Sequence, residues 1–426
     1  MKQVDVAIVG GGVVGCSLAL ALVQFTNLDV ALIEALPAND QEKLSALDQR
    51  SIALSLTSCR LLKHLGLWQN LQLHAQPIEH IEVSEQGAWS KTRLGAKKLG
   101  YAAFGYVIPL DLIQRALSAE LRVYPDRIQH LAGTRLCEMN DSADSDQPLS
   151  TLTLQKDGLA SESQLQARLV IGADGTGSTV RRLANFAVEQ HDYQQQALVT
   201  NIQLKRTHQA RSFERFTKSG SLGLLPLTKQ RMALFWAAPC AEIKALLELS
   251  TADFIENVYQ MVGYSLGACT AVGKRVVFPL KKTIAVNSWR EGCILLGNAE
   301  HTLHPLSGQG LNLGLYDLAC MLDVLQDSID RQEFIGSANV LERYSQKKQK
   351  RNQHIIRDID YLLAGFANPL APVGKVRRAW LSSLELMGPL RQARVQKTLG
   401  CRLPSLLTAA GPKVLQKGGE ELNEVV

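Results

Sequence analysis

The ten residues VAIVGGGVVG, positions 6–15, decide how the rest of this chain is read. The run VDVAIVG over 4–10, apolar but for Asp5, predicts a buried strand, and a further apolar run over 15–24 predicts a helix. Between them stands Gly10-x-Gly12-x-x-Gly15. Gly10 permits the tight turn, Gly12 lets a pyrophosphate approach the backbone, and Gly15 lets helix and strand pack closely, while the helix N-terminus favours negative charge. Residues 28–34 read as a second buried strand ending on Glu34, an acid that accepts hydrogen bonds from ribose hydroxyls and repels a 2′-phosphate. Strands that are apolar throughout belong to a parallel sheet covered on both faces. The unit is a βαβ dinucleotide site, and NADP is disfavoured in it.

The same glycines exclude a different reading. Residues 4–23 are apolar except for Asp5 and Ser17 and follow Lys2, as in a signal peptide or spanning helix. Three consecutive glycines would weaken such a helix by about 1 kcal/mol each, and no small-residue cleavage site follows. No targeting or transmembrane segment is predicted. The 426 residues, 46% hydrophobic and 20% charged, exclude wholesale disorder and allow one large or two to three ordinary domains. Eight cysteines without a CxxC pair argue against a zinc ribbon, a thioredoxin-type pair or a secreted disulfide framework. The net charge is +6, but residues 341–402 hold 13 lysines and arginines against four acids, so that segment carries +9 and the remainder −3. A protein-wide nucleic-acid-binding surface is therefore disfavoured.

Further along, residues 51–67 read as a helix, 78–99 as strands with turns, and 109–122 as an amphipathic helix with Leu110, Ile113, Leu117 and Leu121 on one face. Residues 140–148 are polar and turn-rich, and 166–173 form a strand running into Ala173-Asp174-Gly175. Alternating runs over 198–278 suggest antiparallel strands with one helix near 241–249. A short buried strand at 293–296 enters GNAEHTLHPLSGQGLNLGLYD, and a helix is predicted over 310–326. The rest is helical and basic, ending in an aperiodic tail.

That last motif carries chemistry. Gly308 and Gly310 flank Gln309 at the mouth of a helix, exposing backbone N–H groups along a positive dipole. Such donors would stabilise the negative charge of a reduced flavin near N1 and the C2 carbonyl; a Gly-rich capping turn is the plainer alternative. His301 and His304 are three apart, but Pro305 and the glycines argue against a helix there, so no metal site is expected. No Gly-x-Ser-x-Gly elbow supports nucleophilic hydrolysis.

Taken together, VAIVGGGVVG, DQRSIAL (48–54), IGADG (171–175), FERFT (213–217) with GLLPL (223–227), and the run 297–317 resemble the group A FAD-dependent aromatic monooxygenases over nearly the whole chain. Within them the chain is similar to the ubiquinone-biosynthesis hydroxylases, most of all to the branch acting on 2-polyprenyl-6-methoxyphenol. Asn298 stands where that family usually has aspartate, and Glu300 where a small residue is common. By position, the resemblance implies that Arg50 and Gln114 contact the FAD phosphates or ring edge. It puts Asp174 near both FAD and NAD(P)H. It also implies that Gly297 and Asn298 face the ribityl chain, and that Pro305, Gly308, Gln309, Gly310, Leu311 and Asn312 line the flavin and the oxygen pocket, with no side chain acting as acid, base or nucleophile.

The implied fold is α/β: a discontinuous Rossmann-like FAD-binding domain (1–75, 100–183, 276–340), an inserted β-rich substrate domain (76–99, 184–275), a helical basic C-terminal region (341–410) and a tail (411–426). The implied reaction is hydroxylation of a polyprenylated phenol to a 1,4-benzoquinol through a flavin C4a-hydroperoxide, with FAD as cofactor, NAD(P)H as electron donor and dioxygen as co-substrate. Apolar and basic residues interleave over 373–390, which could rest on an anionic membrane surface or dock an assembly partner of ubiquinone biosynthesis. The expected location is cytoplasmic, peripheral at the inner face of the membrane. Three alternatives share the fold: a sister hydroxylase acting at another ring carbon, a flavin reductase or oxidase on an isoprenoid, and a non-enzymatic assembly scaffold.

Overall fold

The first strand, Lys2–Val9, lies inside an eight-stranded sheet, parallel to Glu162–Gly172 on one side and to Val30–Glu34 on the other. Cys293–Leu295 and Ile128–Ala132 extend the parallel part outward. The chain is described by a computed structural model over residues 2–367, apart from 38–44, 46, 87–90, 142–148, 160 and 306–307. Successive strand side chains point to opposite faces, and both faces are covered here. Val6, Ile8 and Leu32 pack with Leu18 and Leu22 of the helix Val13–Phe25 and with Leu318 and Leu322 of the helix Gln309–Asp330. Ala7, Val9 and Ile33 pack with Leu136 and Leu152 of an antiparallel ribbon, Thr134–Asp141 and Ser150–Lys156.

A second sheet of nine strands is antiparallel over most of its width. Val188–Leu204 pairs with Val276–Ala285 on one side and Arg231–Pro239 on the other; Ser221–Leu227, Arg211–Phe216, His80–Glu85 and Lys91–Gly95 follow in order. Two helices, Cys240–Glu248 and Thr251–Val262, cover one of its faces through Ile243, Phe254 and Val258. A small sheet of Ser51–Ser55, Gly105–Pro109 and Gln76–Pro77 is the third. The last described helix, Ala338–Ala367, packs along Gln309–Asp330.

Three elements differ from the sequence reading. Residues 51–67 are not one helix: Ser51–Ser55 is a strand paired with Gly105–Pro109, and the helix Leu56–His64 begins only after it. Ser55 sets that boundary, because its hydroxyl accepts from Ser58 N at 3.2 Å as an N-cap. The strand Val276–Ala285, assigned above to the FAD-binding part, is hydrogen-bonded into the nine-stranded sheet. The helix Thr251–Val262, capped by Ser250, lies in a stretch where the sequence suggests antiparallel strands and a helix only near 241–249. Residues 142–148, the basic stretch 373–390 and the tail 411–426 lie outside the described residues.

Candidate cofactor and substrate site

Gly10 has φ +109°, and a Cβ there would lie 2.5 Å from the carbonyl of Ala173. A Cβ at Gly15 would lie 1.9 Å from Gly10 O, so helix Val13–Phe25 can approach the strand only through a glycine. Gly12 is the opposite case: it is the N-cap, and a Cβ there meets nothing within 4 Å. That helix has neither a side-chain cap nor an acid in its first turn. Its leading N–H groups therefore face an open cradle of the kind that takes a pyrophosphate. Beside it the Glu34 carboxylate is held by two backbone donors, Gly11 N at 2.5 Å and Leu36 N at 2.8 Å, and each oxygen retains lone-pair capacity for a hydroxyl.

Asp174 abuts this loop, since a Cβ on Gly10 would lie 2.7 Å from Asp174 Cα. One of its oxygens caps the helix Thr179–Leu183, accepting from Thr179 N at 2.6 Å and Val180 N at 3.1 Å. The other is buried with no hydrogen-bond partner among the described residues. A buried carboxylate oxygen in that state calls for a donor, such as a ligand hydroxyl.

The second glycine cluster converges on the same place. A Cβ on Gly297, whose φ is +56°, would lie 3.5 Å from Val14; one on Gly314 would lie 2.8 Å from Val14 and 3.3 Å from Gly297 Cα. Gly308, in the left-handed region at φ 61°, is the N-cap of Gln309–Asp330, another helix with neither a side-chain cap nor an acid in its first turn. The N–H groups of Gln309, Gly310 and Leu311 head it. The exposed side chain of Asn298 points there, with Oδ1 3.7 Å from the position of a Gly310 Cβ. Pro305 is half-buried and accepts from Gly308 N at 2.9 Å. His304 before it is buried edge-on to Tyr193 at 5.0 Å, and burial pushes its ring down to about 4, leaving it neutral near pH 7.

Two of the expected ligand residues also make contacts within the protein. The Asn312 amide donates to Ala53 O (2.9 Å) and Gly308 O (3.0 Å), and it accepts from Ser55 N (2.8 Å) and Ser58 Oγ (2.7 Å). Its hydrogen-bonding capacity is fully used in latching the helix mouth to Ser51–Ser55. Arg50 is exposed with its guanidinium 5.0 Å over the Phe278 ring, so it bridges to the second sheet. Gln114 is half-buried on the helix Leu110–Leu121.

Sequence reading missed the surface opposite this mouth. In the nine-stranded sheet Leu198, Leu222, Leu224, Leu234 and Trp236 are buried under helices. Their alternating neighbours Val199, Leu225, Ala233, Phe235 and Phe278 face the other way and are only half-buried. Leu225 and Ala233 pack in one cluster with Ala53, whose Cβ is 3.7 Å from the position of a Gly308 Cβ. The helix mouth thus opens beside a continuous apolar sheet face, the lining expected of a site for an apolar ligand. The period-two pattern of 232–237 was the signal that could have found it.

Behind the mouth, Glu300, His301 and Asp317 bring ligand-type atoms within 4.8 Å of one another. Lys348, buried on Ala338–Ala367, supplies the positive charge there: its ammonium bonds Glu300 and lies 4.0 Å from Asp317 Oδ2. Burial opposes ionisation of Glu300, but Lys348 and His301 outweigh it and hold the carboxyl down at about 2. Burial would lower His301, yet its acidic neighbours Glu300 and Asp317 raise it; burial raises Asp317, which also accepts from Asn352 Nδ2 at 2.9 Å.

Residues 3–358 match the family described as an FAD binding domain. The chain is 31% identical over 402 residues to 3-demethoxyubiquinol 3-hydroxylase of Escherichia coli, covering 94% of this chain and 99% of that one. It is 31% identical over 401 residues to the ubiquinone hydroxylase UbiL of Rhodospirillum rubrum, covering 94% and 90%. Among solved structures, p-nitrophenol 4-monooxygenase PnpA of Pseudomonas putida superposes with a TM-score of 0.74 at 17% identity, over 95% of this chain and all of that one.

Proposed function

From the premise that this chain belongs to the FAD binding domain family, and to the ubiquinone hydroxylases within it, we propose that it hydroxylates the ring of a polyprenylated phenol in ubiquinone biosynthesis. The reading takes 2-polyprenyl-6-methoxyphenol to its 1,4-benzoquinol, with NAD(P)H as electron donor and dioxygen as co-substrate. The single observation that carries it is the half-exposed apolar sheet face, Val199, Leu225, Phe235 and Phe278, set against the Gly308 helix mouth. A greasy ring with a long isoprenoid needs such a wall, and a hydrophilic substrate would not.

When bound, FAD supplies the electron-accepting and oxygen-activating chemistry for which no side chain here is equipped. The protein's own part is positional. Gly12 and the first turn of Val13–Phe25 receive the pyrophosphate, Glu34 a ribose, and the spare oxygen of Asp174 a hydroxyl. The N–H groups of Gln309, Gly310 and Leu311 favour negative charge at the flavin's pyrimidine edge, and the Asn298 carbonyl can accept from the ribityl chain. The sheet face orients the phenol and excludes water.

Among the described residues no helix is long and apolar enough to cross a membrane. The basic stretch 373–390 is the proposed contact with an anionic membrane surface or an assembly partner, which fits a peripheral position at the cytoplasmic face. The test is turnover of a short-chain 2-prenyl-6-methoxyphenol under isotopically labelled dioxygen. One labelled oxygen para to the phenol is expected; NAD(P)H consumption with unlabelled organic product would overturn the reading. A second reading, hydroxylation at another ring carbon, is favoured by the 31% identity to a 3-demethoxyubiquinol 3-hydroxylase, and the position of the label separates the two.

A further inference from the structure

We propose that Glu214 takes the phenolic proton of the substrate as the ring is attacked, an inference that rests on the reading just given. Glu214 lies on Arg211–Phe216, opposite Gly223 of Ser221–Leu227. Strand alternation puts it on the same face as Leu225, Phe235 and Phe278, because Phe213 on one side of it belongs to the helix-covered core. Its carboxylate leans over the neighbouring strand: a Cβ on Gly223 would lie only 3.2 Å from Glu214 Oε2. Gly223 in turn pairs with Phe235. The absence of a side chain at 223 is what lets an acid reach along an otherwise apolar wall.

Charged groups surround this position without neutralising it. Arg215 follows it in the chain; Glu82 on the next strand is tied to Lys91 and Arg93; Glu85 lies at that strand's end; Lys218 lies beyond Phe216; and Arg50 is engaged with Phe278. Burial pushes the Glu214 carboxyl up to about 7, opposed only by the Ser221 hydroxyl. A carboxyl placed on a greasy surface with no cation to balance it costs stability, which a purely packing role would not require.

The chemistry needs such a group. Hydroxylation para to a phenol draws on electrons of the phenolic oxygen, whose proton has an ordinary value of about 10. The phenol O–H bond breaks, its electron pair stays on oxygen, and an O–H bond forms on Glu214. When the attacked carbon loses its hydrogen to water and aromaticity returns, Glu214 hands its proton back to the same oxygen. No electrons pass through the carboxyl, and it ends each cycle unchanged.

The test uses the FAD-loaded full chain. With the native protein, kcat/KM for a short-chain prenylated methoxyphenol should rise with pH through an apparent value of about 7. In Glu214→Gln that limb should vanish and the rate near neutrality should fall about a hundredfold. KM for NAD(P)H and bound flavin should be unchanged, and Glu214→Asp should restore the limb. A Glu214→Gln protein that keeps the limb, at full or uniformly reduced rate, overturns the proposal. A second measurement needs no turnover: carbon-13 NMR of glutamate carboxyls, assigned by difference against Glu214→Gln. A titration near 7 should move when a prenylated phenol binds in the absence of reductant. A titration indifferent to the phenol overturns the proposal even where the hydroxylase reading stands, whereas absence of labelled product overturns that reading and, with it, the step proposed here.

Discussion

Gly12 and Gly15 are three residues apart in one motif, yet they answer to different constraints. A side chain at Gly12 meets only open space, whereas one at Gly15 collides with Gly10 O at 1.9 Å. Gly12→Val should therefore fold with near-native stability and purify without flavin. Gly15→Val should lose several kcal/mol, as backbone overpacking does. Denaturant unfolding of the apo proteins, with flavin absorbance of the holo proteins, checks both; full FAD occupancy in Gly12→Val would show that the cradle holds something else. The motif glycines and Glu34 were legible because the same few residues set both backbone shape and ligand chemistry. Asn312 was not, since its partners Ala53, Ser55 and Ser58 lie more than 250 positions away in sequence. A helix-mouth asparagine reads equally well as a ligand or a latch until those partners are known.

At the scale of elements, the helix Ala338–Ala367 is pinned to Gln309–Asp330 by Lys348 against Asp317 and by Lys347 Nζ on Asp323 at 2.7 Å, and to the turn before that helix by Lys348 against Glu300. Glu300, held at about 2, contributes stability above its ordinary value of 4.5, and that contribution is lost as pH falls toward 2. His301 is shifted upward, so its contribution is present below its ordinary value of 6.5 and lost as pH rises through the folded value. The latch is therefore strongest in the mildly acidic range between those ordinary values. Lys348→Met leaves two buried carboxyls without their cation and should cost about 3–5 kcal/mol near neutrality. The cost should shrink toward pH 4, where an unpaired Glu300 takes up a proton; denaturant unfolding at both pH values tests this, and a pH-independent loss would assign the effect to packing. Periodicity could announce this helix but not its charges' partners. The helix misread over 51–67 has the same origin, because Ser51–Ser55 is a strand only by virtue of Gly105–Pro109.

Across the whole molecule, the basic segment is less free than its composition implies. Arg343, Lys347 and Lys348 are paired with Glu333, Asp323 and Glu300 of the body, and Arg351 stacks on Tyr316 at 3.7 Å. Among the described residues Lys350 and Arg357 are exposed, and the proposed lipid contact adds Lys375, Arg377, Arg378 and Arg391. Reversing those four should weaken binding to anionic vesicles at low salt, while reversing Arg343 should not; sedimentation with vesicles decides it, and unchanged binding would end the membrane assignment. The split sheet has one more consequence, for biosynthesis. Val6 pairs with Leu169, and Val170 with Cys293. At roughly 5–20 residues per second, the ribosome needs roughly fifteen seconds to a minute to deliver the last of those partners. Until then the strand Glu162–Gly172 waits with one apolar edge uncovered, so the nascent chain calls for chaperone shielding. FAD loading is accordingly an event that follows translation.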